Sequence, residues 1–225
     1  MGAMSELLAN WKQTLLAIVL LQAWVALLCH IAPRLVAQID AAQMVRSRPA
    51  PAVRRVAHAL VLVLTVALLW LPVSQHAWVV MAVAACGASL LALAWIDART
   101  CLLPDGLTLP LLWAGLLVNL DGALTPLRDA VLGAAGGYLV LWCAAAAYRR
   151  LTGREGMGYG DFKLLAALGA WLGWTWLPAL MLVSSACGVL AALLGRAMGW
   201  CRAGQALPFG PWLALAGIMA LAWQG

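Results

Sequence analysis

Two carboxylates, Asp97 and Asp161, stand where their type and setting could do chemistry. Asp161 closes the run Gly156-Met157-Gly158-Tyr159-Gly160-Asp161 and is followed by Phe162-Lys163 and a long apolar stretch. Asp97 ends another apolar stretch, Ala94-Trp95-Ile96, and opens the polar Asp97-Ala98-Arg99-Thr100. The chain has 8 Asp and Glu against 14 Lys and Arg, and an unpaired charge at an apolar edge is costly enough to need a reason. Two carboxyls that share a proton form an acid–base pair, one taking a proton from water while the other protonates a carbonyl oxygen. Like charges about 3 Å apart do not both ionise, so such a pair titrates as a unit. This is the chemistry of aspartyl peptide hydrolysis, which needs no metal, cofactor, or Ser or Cys nucleophile.

The other acids have simpler readings. Asp105, between Pro104 and Gly106-Leu107-Thr108, reads as a helix N-cap, and Asp121 and Asp129, beside a turn and a helix start, read as caps as well. Asp161 could also cap the helix it precedes. Asp97 ends a helix, where the macrodipole disfavours negative charge, so capping does not account for it. Gly156, Gly158 and Gly160 form a backbone free of side-chain bulk on which an extended peptide could lie. Peptide bonds inside helices resist hydrolysis, so a membrane-embedded hydrolase must hold its substrate as a strand.

The elements that carry these residues are set by composition. Of 225 residues, 65% are hydrophobic and 10% charged, far from the roughly 25% charged of soluble domains. The chain therefore reads as an all-α polytopic membrane protein. Apolar runs at 15–31, 56–71, 78–96, 107–120, 127–147, 162–177, 178–194 and 207–223 predict about eight transmembrane helices, several of them short. Arg34, Arg46, Arg48, Arg54, Arg55, Arg99, Arg149, Arg150, Arg154, Lys163, Arg196 and Arg202 fall in alternate connections, with only Lys12 and Arg128 opposite. The positive-inside rule then puts both termini outside and Asp97 and Asp161 at cytoplasmic helix ends. Residues 33–55, with Arg46-Ser47-Arg48-Pro49-Ala50-Pro51 at their centre, read as a short, proline-stiffened cytoplasmic loop too small to fold alone. The whole of 1–225 reads as a single membrane-embedded domain without internal repeat. Glu6 and Lys12 precede the first apolar run without a basic n-region or cleavage site, which predicts that the first helix is retained. Many of the 13 Trp, among them Trp11, Trp95, Trp174, Trp176, Trp200 and Trp223, lie near helix ends and suit an interfacial belt.

The formal net charge of +6 is spread over short loops rather than gathered on a basic domain, which argues against nucleic acid as a partner. Cys29, Cys86, Cys101, Cys143, Cys187 and Cys201 form no C-x-x-C pair, and His30, His58 and His76 are isolated, so neither a structural zinc site nor a disulfide framework is indicated. All six cysteines read as small hydrophobes in or beside apolar runs.

Ile96-Asp97, Leu102-Leu103-Pro104-Asp105-Gly106-Leu107-Thr108-Leu109-Pro110-Leu111-Leu112-Trp113, the segment Gly156 to Trp171, and Pro208-Phe209-Gly210-Pro211 together resemble bacterial type IV prepilin peptidases. The resemblance implies a G-x-G-D aspartyl endopeptidase of the inner membrane. Such enzymes cut prepilins and pseudopilins after a glycine at the cytoplasmic face, with roles in type IV pili and type II secretion. It puts the two catalytic aspartates on Asp97 and Asp161 and makes Asp105 a motif member. Bifunctional relatives carry, after the first helix, a cytoplasmic insertion with two paired-cysteine motifs associated with N-methylation. Here that region is the cysteine-free stretch 33–55, which implies a short form acting without S-adenosylmethionine. The basic leader of such a substrate would meet Asp105 and Glu155 rather than Arg99 and Lys163. Those two cations flank the acids and either tune them, orient substrate, or serve topology alone.

Other readings are a bifunctional peptidase and N-methyltransferase, a proton-coupled transporter, and a non-catalytic membrane scaffold. A transporter would place acids nearer mid-membrane and show inverted repeats, which this sequence does not. A scaffold would tolerate Asp→Asn at both positions.

Overall fold

The structure, a computed structural model, describes residues 19, 21–28, 30–38, 77–154, 156–198 and 208–224. Every regular element among them is helical: α1 (Ala77–Thr100), α2 (Asp105–Val118), α3 (Leu127–Thr152), α4 (Tyr159–Leu172), a 3-10 turn (Trp174–Trp176), α5 (Leu177–Ala197) and α6 (Gly210–Gln224). Residues 21–28 and 30–38 are helical as well. Three stretches, Trp78–Thr100, Leu127–Thr152 and Trp174–Ala197, are long and apolar enough to cross a bilayer, and Asp105–Val118 and Gly210–Trp223 are shorter apolar helices. The chain is an all-α polytopic membrane protein. Its long helices keep most of their apolar surface outward: in the most apolar window of Trp174–Ala197 only 17% of residues are buried.

Several boundaries differ from those read in the sequence. The amino-terminal helix continues through 33–38, so the polar connection starts later than Pro33; its remainder and the 56–71 run lie outside the described residues. Helix α3 runs five residues past Ala147, to Thr152, where Gly153 adopts φ 68° and returns its N–H to the Arg149 carbonyl at 2.9 Å. The break between the crossings read as 162–177 and 178–194 falls at Gly173, whose φ of 85° a side chain rarely adopts. The apolar pattern runs on through Trp174–Trp176 and hides that turn.

Packing divides the chain into Met1–Ala88 and Ser89–Gly225. In the first, Leu21 and Val25 meet Met81, with Ala84, Ala85 and Ala88 against them. In the second, α4 is the buried centre: Asp161, Phe162 and every residue from Leu164 to Leu172 are buried. Neighbouring helices reach it because small residues let backbones close up. A Cβ on Gly169 would fall on the Gly133 carbonyl of α3, one on Gly137 would stand 2.7 Å from the Leu165 carbonyl, and one on Gly115 of α2 would stand 2.6 Å from the Trp171 indole. The same economy at membrane helix contacts replaces hydrophobic driving force with close packing.

Polar groups fix the register. Trp171 donates Nε1–H to the Leu111 carbonyl at 2.9 Å. Asn119, wholly buried, donates to the Ala170 and Trp171 carbonyls at 2.9 and 3.2 Å and accepts the Leu124 and Thr125 amides at 3.0 and 3.1 Å. The carbonyls left over at the end of α4 are thereby satisfied where no water reaches them.

Candidate active site

Asp97 lies in the last turn of α1 with 4% of its surface exposed. The helix stops there because Cys101 turns into the left-handed region at φ 52° and its N–H closes on the Asp97 carbonyl at 2.8 Å. That is a left-handed C-cap made by a residue other than glycine, a conformation costing about 1–2 kcal/mol. Thr100 braces the turn, its hydroxyl donating to the Ile96 carbonyl at 2.9 Å while its oxygen accepts the Leu102 amide at 3.3 Å. Residues 102–104 then run without regular structure into α2.

Asp161 sits in the first turn of α4, before the apolar run that begins at Phe162, and is 9% exposed. Two contacts lock this turn against its surroundings. Leu103 fills the notch left by Gly160, where a Cβ would stand 2.7 Å from that of Leu103. Phe162 lies edge-on to Tyr138 and Tyr159, with centroids 5.9 and 5.5 Å apart. The chain segment after Asp97 and the helix turn holding Asp161 are thus interlocked, and the two carboxyls come within electrostatic reach. Burial pushes Asp161 up to about 7, with the charge of Asp97 adding to the effect. The thiol of Cys101 is raised by burial and by both carboxylates, so it faces the same small region.

The third component is Gly210, the buried first residue of α6. Its N–H donates to Asp97 Oδ2 at 2.9 Å. A Cβ there would stand 2.7 Å from the same oxygen. Sequence reasoning placed Pro208-Phe209-Gly210-Pro211 in the pattern but gave it no task. A Gly-Pro pair at a helix start is the signal that was available.

The remaining candidates are placed differently from one another. Gly158 is the extended N-cap of α4 and opens to the exterior, with only Asp161 Oδ2 near a notional Cβ, at 3.9 Å. Gly156 is exposed on one side, but a Cβ would meet the Tyr148 ring at 2.7 Å. Gly160 already belongs to the helix, so the space at two of the three glycines is taken by the chain's own side chains. Asp105 does not cap α2: Pro104 holds the N-cap position, no side chain caps it, and Asp105 stands in the first turn. Pro126 likewise displaces Asp129 from the cap of α3. Asp105 instead pairs with Lys163 at 2.5 Å, its side chain 57% exposed. Lys163 is therefore not merely topological. Arg99 stacks over Trp95, 5.6 Å from the ring. Glu155 lies outside the described residues. Of the cysteines read as small hydrophobes, Cys86 is buried, but Cys101 and Cys143 are exposed.

A shallow open groove, with a cavity volume of about 30 Å³, is lined by Trp142, Ala145, Ala146 and Arg149 of α3 and by Gly156, Met157, Tyr159 and Phe162, the last of them next to Asp161 in the chain. No group of three or more His, Cys, Asp or Glu side chains gathers into a metal-binding arrangement among the described residues.

The buried carboxyls stand on two helix ends, one of them preceded by G-x-G. Residues 84–193 match the profile of the type IV leader peptidase family. Asp97, Asp161 and the Leu103–Gly160 contact all fall within it, and Gly210 lies beyond it. The matched segment also aligns with curated relatives. The prepilin leader peptidase/N-methyltransferase of Dickeya chrysanthemi is 57% identical over 136 residues, covering 60% of this chain and 48% of that protein. The protein of the same name from Pectobacterium carotovorum subsp. carotovorum is 48% identical over 162 residues, 72% of this chain and 57% of its own. The one from Aeromonas hydrophila is 56% identical over 134 residues, 60% and 46%. The chain spans about half the length of the relatives it matches. No solved structure matches it.

Proposed function

We propose that this chain is an aspartyl endopeptidase of the bacterial inner membrane. It removes the basic leader of type IV prepilins or pseudopilins after a glycine, at the cytoplasmic face. The observation that carries the reading is the pair itself: Asp97 and Asp161, distant in sequence and both buried, stand at two helix ends within electrostatic reach of each other.

The chemistry follows from a pair holding one proton. The ionised carboxylate takes a proton from water as the water oxygen bonds to the scissile carbonyl carbon, and the protonated partner gives its proton to the carbonyl oxygen. In the resulting gem-diol the first carboxyl passes its proton to the amide nitrogen as the C–N bond breaks. The second takes a proton back from a diol hydroxyl, which restores the starting state. The reaction needs neither metal nor cofactor.

The shallow groove along Trp142, Arg149, Met157 and Tyr159 supports a surface path for substrate, and the exposed backbone at Gly158 leaves room for an extended strand. Asp105, partly neutralised by Lys163, and Glu155 would meet the basic leader. The membrane itself is the second partner, and the distribution of basic connections supports a site on the cytoplasmic side.

The relatives' names join peptidase to N-methyltransferase. For this chain we propose the peptidase alone, because its 33–55 stretch contains no cysteine. Mass measurement of a cleaved prepilin separates the two: loss of the leader without an added methyl, with S-adenosylmethionine present, supports the peptidase-only form. A methylated product would restore the second activity.

A further inference from the structure

We propose that Gly210 is a positioning residue of the carboxyl pair: its backbone N–H holds Asp97 as the ionised member, which makes Asp97 the base toward water and leaves Asp161 as the acid. Pro211 has no N–H, and the Trp212 and Leu213 amides both turn back to the Phe209 carbonyl, at 3.1 and 3.2 Å. Gly210 supplies the helix-start amide that remains, and it points at Asp97 Oδ2. A charge-assisted bond from the positive end of a helix favours a carboxylate over a carboxylic acid there.

The residue must be glycine for this approach, since a Cβ would crowd Oδ2 and the carboxyl carbon at 2.7 and 3.0 Å. The main opposing influence is burial, which disfavours the charged form of a carboxyl only 4% exposed, and the Gly210 bond works against it. The titratable groups facing Asp97 are Asp161 from α4 and Cys101 from the turn after α1, neither of them a cation. Helix α6 carries no charged residue. Arg99 is engaged with Trp95 and Lys163 with Asp105. Among the described residues no side-chain hydrogen bond serves Asp161 in the way Gly210 serves Asp97.

The division into base and acid rests on the peptidase reading, whereas the Gly210–Asp97 bond does not, and the test keeps them apart. The chain has two Phe, one followed by Lys163 and the other by Gly210. Carbonyl-13C phenylalanine with 15N-glycine therefore selects the single Phe209–Gly210 amide in the intact protein in detergent. We expect its proton resonance downfield at neutral pH and moving upfield on acidification. The displacement should become smaller and independent of pH in Asp97→Asn, and persist in Asp161→Asn. An amide indifferent to Asp97→Asn overturns the proposal whether or not any prepilin is cleaved.

With turnover measurable, Gly210→Ala should lower kcat by ~100-fold, the lower range of general-base contributions, with little change in KM. It should also move the acidic limb of the pH profile to higher pH. An unchanged acidic limb contradicts the assignment even if the rate falls, and a variant that does not fold leaves the decision to the resonance measurement.

Discussion

At the scale of single residues the account turns on proton inventory. Asp161 is held up to about 7 by burial and by the charge of Asp97, so below that pH the pair keeps the proton its acid must donate. Raising the pH through 7 removes it, and because the folded value is raised, the loss is on the alkaline side. Turnover should fall about tenfold per unit once the pair is fully ionised. A pH–rate profile checks this, and activity still rising well above pH 7 would contradict it. Lys163 offers a second test. Its partner Asp105 is more than half exposed, so Lys163→Ala should change stability by less than about 1 kcal/mol. If Asp105 receives the basic leader, freeing it should lower KM for prepilin. An unchanged KM would remove Asp105 from the substrate path.

At the scale of elements, the meeting of the two acids depends on a loop and a helix turn that fit each other. Gly160→Ala places a Cβ 2.7 Å from that of Leu103 and should cripple cleavage, and adding Leu103→Ala should restore a large part of it. Recovery in the double variant means the glycine exists to admit Leu103; failure to recover means it admits the substrate. Asn119→Ala strips partners from two carbonyls and two amides and should destabilise the protein by about 2–4 kcal/mol, read as a drop in thermal midpoint in detergent. The sequence announced the acids, because a carboxylate closing an apolar run is conspicuous. It did not announce what holds them. Leu103 and Gly210 are ordinary residues whose task exists only once α2, α4 and α6 are packed, and the same holds for Asn119. The cap positions were misread by one or a few residues because Asp105 and Asp129 are good caps in isolation, while Pro104 and Pro126 already hold those places. The break at Gly173 was invisible because its flanks are equally apolar.

At the scale of the molecule, apolar α3 and α5 face outward and α4 is enclosed, so the carboxyls are carried on protected helix ends rather than on the lipid surface. In the proposed topology those ends lie at the cytoplasm. A single cysteine introduced as Arg154→Cys in a cysteine-free background should react with an impermeant reagent in inside-out vesicles and stay unlabelled in right-side-out ones; the reverse pattern would invert the topology. The central claim is that Asp97 and Asp161 hydrolyse a leader junction together. Its most direct test is cleavage of a purified prepilin in detergent by this protein and by its Asp97→Asn and Asp161→Asn forms, with product masses read. The account predicts a product cut after the leader glycine that disappears with either substitution while both variants remain folded. Substantial cleavage by either variant, or none by the folded unaltered protein across several prepilins, would contradict it.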